Sequence, residues 1–351
     1  MSTATATKEA IEGTEAMSAQ VTMIEALNRA LGDAMKSDPK VLLFGEDVAD
    51  GEGGGVVGIS RGLSTRFGNE RVRSTPIAEQ AIIGAAIGAS LSGWKPVAEI
   101  MLMNFATVAM DMLVNHAAKL RFMSGGQTGV PITVRMMTGA GIASGGQHAD
   151  YLEAWFAHVA GLKVVAPSTP EDAYGLMRSC IDDPDPCIFI ENLLLLGAKG
   201  PEPESGHRVP LGKAAVRREG TDLTIVTHSR MVVESLGAAD ALAKEGISAE
   251  VIDLRTIQPW DKAAVLGSVR KTGRLMTVHE AAKPFGIGAE IAAVVNHELF
   301  GKLKAPVYRL GGAYCAVPFT RPLEAAFAPD AARIADGARA MIKQGGGQNE
   351  R

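Results

Sequence analysis

Ser74-Thr75-Pro76-Ile77-Ala78-Glu79-Gln80, running on into Ala81-Ile82-Ile83-Gly84-Ala85-Ala86-Ile87-Gly88-Ala89, is the stretch around which the rest of the chain is arranged. Thr75 can cap a helix and Pro76 suits its first position, so the spacing predicts a helix beginning here with Glu79 one turn in. After Gln80 the predicted helix is apolar on every side, which in a folded protein implies burial. Gly84 and Gly88, one turn apart, leave a groove where another backbone can come close. Glu79 therefore enters or borders a buried contact, where a lone carboxylate is costly unless something takes its charge or its proton. A second reading of the same residues stands beside that one: a glutamate in a first turn simply complements the helix dipole.

Composition sets the frame. A chain of 351 residues exceeds one ordinary core and points to two domains. Hydrophobic residues make up 46% and aromatic residues only 5%, while glycine reaches 40 residues, so close packing of small side chains replaces large rings. With 35 basic against 39 acidic residues and no basic block, nucleic-acid binding is disfavoured. Cys180, Cys187 and Cys315 are too few and too ill-spaced for a disulfide framework or a zinc site, which fits a reducing compartment. No apolar run approaches the ~18 residues of a membrane span. Residues 1–20, rich in Ala, Thr and Glu and without Arg, resemble neither a transit nor a signal peptide; they read as a disordered leader on a bacterial-type cytoplasmic chain.

Thr22 with Glu25 reads as a capping box, and Met23, Ile24, Leu27, Leu31 and Met35 give a helical stripe ending before Asp38-Pro39. Val41 to Gly45 is the short apolar run of a buried parallel strand. It ends in Glu46-Asp47, where open α/β sheets place ligands, although two acids also suit a solvated turn. The loop Asp50 to Gly55 is glycine-rich without a phosphate-binding pattern. Pro96 to Ile100 and Pro131 to Met137 read as strands, and Phe105 to Met123 as one long helix in which His116 is structural. The glycine-dense loop Thr138 to Gln147 leads to His148, at a position from which a catalytic group could reach a ligand. Strands at Leu162 to Ala166 and Cys187 to Ile190 flank a helix from about Pro170 to Ile181. That alternation implies a parallel sheet.

The text then turns to Gly, Pro, Glu and Ser, giving a linker over 199–213 between a first domain at 21–198 and a second at 214–342, with a tail at 343–351. The second domain repeats the alternation: strands at Leu223, Glu250, Leu275 and Val307, with helices Met231 to Lys244, Asp261 to Lys271, Phe285 to Phe300 and one from Pro322. Its histidines, His228, His279 and His297, share no metal-ligand spacing and read as structural or surface groups. No GxSxG elbow, HExxH or Ser-His-Asp order occurs. The fold class is α/β with two doubly wound domains.

Glu79, followed after four residues by Gly84-Ala85-Ala86-Ile87-Gly88, resembles the glutamate motif of thiamine-diphosphate enzymes, with Ala85 a weak match at its hydrophobic position. Leu43 to Val48, Thr75 to Glu79, Gly146-Gln147-His148, Glu153 to His158, Gly161 to Val165 and Asp253 to Thr256 are similar to the beta subunit of the decarboxylating component of 2-oxo acid dehydrogenase complexes, pyruvate and acetoin type. The resemblance covers roughly residues 20 to 340. It implies a pyrimidine-binding transketolase-like domain followed by a transketolase C-terminal-like domain. It also implies thiamine diphosphate as cofactor, with Glu79 acting on the pyrimidine N1′, Phe105 stacking on the ring, Glu46 supporting the hydrogen-bond network, and His148 facing substrate and lipoyl group. A potassium site would fall on Ile132, Cys180, Ile181, Asp183 and Asp185, whose oxygens suit a hard cation; Pro184 and Pro186 between them depart from the usual loop.

This chain has no GDG-to-Asn segment for magnesium and diphosphate, which in this family resides on an alpha subunit. The resemblance therefore implies two alpha and two beta subunits, inactivity of this chain alone, and a lipoyl-bearing acyltransferase core as further partner. The substrate that the resemblance implies is a 2-oxo acid or acetoin. Two other functions are compatible with the residues: a non-catalytic assembly subunit, since the loop Gly139 to Gly146 is altered from the family's text, and a transketolase split into two chains.

Overall fold

The computed structural model describes residues 19–346. The first half contains β1 (Gln20–Thr22), α1 (Met23–Ser37), β2 (Val41–Gly45), α2 (Leu63–Phe67), β3 (Val72–Ser74), α3 (Glu79–Leu91) and β4 (Lys95–Leu102). It continues with α4 (Leu120–Met123), β5 (Thr133–Thr138), α5 (Glu153–Ala157), β6 (Lys163–Val165), α6 (Pro170–Asp182), β7 (Cys187–Asn192) and β8 (Lys199–Pro201). The capping box of α1 is formed, with Thr22 Oγ1 accepting from the Glu25 N–H at 3.2 Å and the Glu25 carboxylate accepting from the Thr22 N–H at 2.7 Å. The second half runs β9 (Ala215–Arg218), β10 (Leu223–Thr227), α7 (Arg230–Ala243), β11 (Ala249–Asp253), β12 (Thr256–Gln258), α8 (Lys262–Thr272) and β13 (Leu275–Ala282). α9 (Gly288–Glu298), β14 (Tyr308–Gly312), α10 (Arg321–Phe327) and α11 (Ala331–Gly346) complete it.

Seven strands form the first sheet in the order β12-β6-β7-β5-β4-β2-β3, parallel except for β12 at its edge. Side chains alternate across it. Leu43, Val97, Val165 and Phe189 pack with α1 and α6 on one face, whereas Ala98, Ile100, Val134, Met136 and Ile190 pack with α3 on the other. The second sheet has the order β14-β13-β10-β11-β9, with only β9 antiparallel. It is covered by α7 and α11 on one side and α8 and α9 on the other. Two doubly wound domains are therefore present. Among the described residues no helix is long and apolar enough to cross a membrane.

Several expectations need correction. Helix α3 starts at Glu79, not Pro76, because the Thr75 N–H still bonds the Gly45 carbonyl at 2.8 Å and the Thr75 hydroxyl bonds the Pro76 carbonyl instead of capping. Of the apolar residues of that helix, only Ile82, Ile83, Ala86 and Ile87 are buried in the core; Ala81, Ala85 and Gly88 are exposed. Among the described residues no backbone approaches Gly84 or Gly88. The long helix expected over Phe105 to Met123 is a 3-10 turn (Met103–Ala109), a π turn (Met112–Ala117) and then α4. Such irregular winding recurs where a helix must present a particular side chain. The helix expected from Pro322 is divided into α10 and α11 around Pro329, which cannot continue a helix.

The segment expected as a linker begins as strand β8, paired antiparallel with β1, and Val209 beyond it joins the first core. Residues 1–18 of the expected leader and 347–351 of the expected tail lie outside the described residues, while Gln20 is in a strand and α11 continues to Gly346. The two domains are also bonded directly. Asp253 accepts from Ser168 Oγ at 2.5 Å, Asp172 accepts from Arg217, and Arg255 donates to Asp172 at 3.2 Å.

The domains also share a buried cluster made of Tyr151 and Glu153 from the first and His228, Ser229 and His279 from the second. Glu153 Oε1 is 3.9 Å from His228 Nε2. Burial, with the nearby Glu280 charge, pushes the Glu153 carboxyl up to about 8, and burial with His279 pulls His228 down to about 3. Both are neutral at pH 7, so their contact is not an ion pair. Both Glu153 oxygens and His228 Nδ1 lack a protein partner among the described residues.

The folded chain thus keeps the Glu153 proton to about pH 8, whereas the unfolded chain loses it near the ordinary 4.5, so this group's contribution falls as pH rises between those values. His228 acts oppositely: the unfolded chain gains a proton below 6.5 that the folded chain takes only near 3, and stability falls on acidification across that range. Glu153→Gln is expected to raise thermal stability over the parent by an amount that grows from pH 5 to pH 8, on the order of a few kcal/mol. Thermal midpoints at both pH values check this. Parallel pH slopes for the two proteins would sink the assignment.

Candidate active site

The carboxyl edge of the first sheet is built by the ends of β2, β3 and β4. A Cβ on Gly45 would lie 2.7 Å from the Glu99 carbonyl oxygen, so only glycine lets β2 end this close to β4. Glu46 follows at once. The bond from Thr75 to Gly45 keeps the chain leaving β3 over the same edge, and α3 begins there with Glu79. Glu46 and Glu79 are only 6% and 7% exposed. Burial lifts the Glu46 carboxyl above its ordinary range, and the charges of Glu79, Asp47 and Glu99 push it the same way. Two adjacent carboxyls, one favouring its proton, make a site suited to holding and passing a proton.

Behind them lies a buried ionic triad that the sequence reading missed. Arg135 donates from Nη1 to Glu99 Oε2 at 2.5 Å, and from Nε and Nη2 to the two oxygens of Glu191 at 2.8 and 2.9 Å. The residues stand on β4, β5 and β7, with Glu99 and Arg135 in direct register. Burial opposes the Arg135 charge, but Glu191 and Glu99 outweigh it and hold the guanidinium above its ordinary range. The signal was available: Glu99 and Arg135 are charged residues set between apolar neighbours in the middle of their strands.

Phe105 and His148 form the second part of the site. Phe105 is half-buried in the Met103–Ala109 turn, against which α3 packs. Its ring centroid is 5.6 Å from that of His148 at 77°, an edge-on contact. Asn104 ties the two segments together. Its Nδ2 donates to the Gly146 carbonyl at 3.0 Å and to Asp150 Oδ2 at 2.9 Å, and its Oδ1 accepts from the Asp150 N–H at 3.2 Å. Neither Asn104 nor Asp150 has a motif of its own in the sequence.

Thus Glu46 and Glu79 are buried close enough for the charge of one to act on the other, Phe105 meets His148 edge-on, and α3, which carries Glu79, packs on the Phe105 turn. An acid beside a half-exposed flat ring fits an aminopyrimidine, which needs a hydrogen-bonding carboxyl at one nitrogen and an apolar face for stacking. Neither of two cavities, of about 790 and 610 Å3, is lined by any of these four residues.

The positions expected for potassium do gather at the turn between α6 and β7, but their oxygens are engaged. Lys163 Nζ bonds both oxygens of Asp183 at 2.5 and 2.6 Å, and Arg121 bonds Asp185. The Ile132 carbonyl accepts from the Cys187 N–H at 2.9 Å and the Cys180 carbonyl from the Asp183 N–H at 3.2 Å. Ile181 is buried beside them. Arg121 and Lys163 thus balance the charge of the two carboxylates at this turn. Among the described residues no group of three or more His, Cys, Asp or Glu side chains is arranged to hold a metal ion.

Comparison with known proteins agrees with this architecture. Residues 19–198 match the transketolase pyrimidine-binding domain family and residues 212–334 the transketolase C-terminal domain family. Among solved structures, a split-gene transketolase described as an inactive beta4 tetramer superposes with a TM-score of 0.76 at 21% identity, covering 92% of this chain and 99% of that one. That likeness concerns the fold. Among curated proteins, the chain is 48% identical to the mitochondrial pyruvate dehydrogenase E1 component subunit beta-2 of Oryza sativa subsp. japonica, covering 91% of this chain and 86% of that one. It is 44% identical to the pyruvate dehydrogenase E1 component subunit beta of Bacillus subtilis, over 93% of this chain and 99% of that one. It is equally 44% identical to the acetoin:2,6-dichlorophenolindophenol oxidoreductase subunit beta of Cupriavidus necator, over 91% and 97%. With both domain families matched in order and such identity along nearly its whole length, this chain belongs to the family of pyruvate and acetoin dehydrogenase E1 beta subunits.

Proposed function

We propose that this chain is the beta subunit of a 2-oxo acid dehydrogenase complex that oxidatively decarboxylates pyruvate and passes the acyl group to lipoamide. The observation that carries this reading is the buried pairing of Glu46 with Glu79 at the carboxyl edge of the first sheet. Thiamine diphosphate, when bound, would supply an acidic thiazolium carbon and an electron sink for decarboxylation. Glu79 offers its carboxyl to the pyrimidine N1′, and Glu46, whose own carboxyl is lifted above its ordinary range by burial and by the Glu79 charge, supports it from the end of β2. Phe105 offers its face to the ring. His148 presents an imidazole N–H to the substrate carboxylate or the incoming lipoyl group. The Glu99–Arg135–Glu191 triad ties together β4, which pairs with the strand ending at Glu46, and β5, which leads into the His148 loop.

Magnesium and the diphosphate are assigned to an alpha subunit, giving a complex of two alpha and two beta chains that is active only when assembled. The exposed small-residue side of α3, with Ala81, Ala85 and Gly88, supports this: an apolar helix face without cover suits a second subunit. Potassium stays outside the mechanism. Acetoin cleavage is the second reading, favoured by the 44% identity to the Cupriavidus necator protein.

Coexpressed with its alpha subunit, Glu79→Gln is expected to lower turnover by at least about a hundredfold, since general acid–base catalysis contributes of that order. Near-normal turnover would refute the assignment, and comparing pyruvate with acetoin in the same assay selects between the substrates. Phe105→Ala is expected to weaken thiamine diphosphate binding by up to about tenfold, the worth of an aromatic stack. Fluorescence titration of the assembled protein measures it. An unchanged dissociation constant would favour a non-catalytic assembly subunit.

A further inference from the structure

The loop that carries His148 is held by the second domain. After β5 ends at Thr138, Gly139, Gly141, Ala143 and Gly145 have φ of +122°, +124°, +59° and +76°, so every second residue lies in the left-handed region. Such alternation points successive backbone N–H groups into one concavity, an arrangement that receives an anion. Here the anion is the protein's own. Glu324, on α10 and 3% exposed, accepts from the Gly141 N–H at 2.6 Å and from the Ala143 N–H at 2.9 and 3.1 Å.

Two more side chains of the second domain grip the same segment. Glu280, on β13, accepts from the Ala140 N–H at 2.5 Å and from Asn192 Nδ2 at 2.9 Å. Arg230, at the start of α7, donates to the Ala140 carbonyl at 3.0 Å. A small apolar patch of Ala140 and Ala149 with Val317, Phe327 and Ala328 closes the contact. A glycine-rich backbone has little preference of its own for so unusual a path, so bonds from outside must select it.

We propose that Glu324 is a positioning residue for His148: by filling the loop's ring of N–H groups, a carboxylate of the second domain sets the path that places the imidazole against Phe105. The kinetic part of the test rests on the role given to His148 above; the exchange part does not.

Hydrogen exchange of the full chain is the first measurement. In the parent, the Gly141 and Ala143 amides should exchange slowly although they lie in a loop, and Glu324→Gln should speed exchange across residues 139–148 about tenfold or more, the worth of a charge-assisted hydrogen bond. Amides of Leu223–Thr227 should not change. Fast exchange of Gly141 and Ala143 in the parent overturns the proposal without needing any variant, and so does unchanged exchange in a folded Glu324→Gln. The second measurement uses the complex assembled with its alpha subunit. Glu324→Gln should lower turnover with lipoamide about tenfold with less than about a twofold change in thiamine diphosphate affinity, and adding it to His148→Ala should lower turnover no further. Additive losses would overturn the positioning role. Should His148→Ala alone retain full turnover, the reading of His148 fails, and the exchange result still decides the clamp.

Discussion

Arg135 holds the first domain in the form its site requires. Its guanidinium is buried between two carboxylates on neighbouring strands, so β4, β5 and β7 are joined by charge as well as by their ladders. A buried charge without its partner costs about 3–5 kcal/mol, which makes any other arrangement of these strands expensive. Apolar residues of similar size could join the strands at least as stably. What apolar residues could not do is place a fixed negative charge behind Glu46. The triad is therefore better understood through the site than through stability.

The site's two parts depend on different kinds of structure. Glu46 and Glu79 are delivered by strand ends and a helix start, elements whose positions the parallel sheet dictates. Phe105 and His148 come from a 3-10 turn and a glycine-rich loop, which have no such rigidity. Asn104 and the second domain's side chains supply it. A loop that the first domain alone would leave free is thus as well bonded as a strand end.

Much of this was legible in the residues. Apolar runs marked the strands, Thr22 with Glu25 marked a helix start, and the Glu79 segment marked a buried carboxyl. The start of α3 was misjudged because Thr75 and Pro76 satisfy local rules for a cap, while a longer-range bond to Gly45 holds them in the sheet. The irregular turns after Met103 were hidden because apolar spacing near 3.6 residues does not distinguish helix types. Glu324 and Glu280 could not have been found at all: they meet the His148 loop across 140 to 183 residues of chain, and nothing local marks an acid that will bond a distant backbone.

Strand β12 has a consequence for how the protein may be dissected. It lies beyond the apparent boundary in the chain yet forms the edge of the first sheet, antiparallel to β6. A fragment cut between the two matched domain families would lose it and expose the backbone of Lys163–Val165, a bare β-edge of the kind that templates pairing with other chains. The two halves look separable when read as text, but they share a border strand, and the first would leave the second only as an aggregation-prone piece.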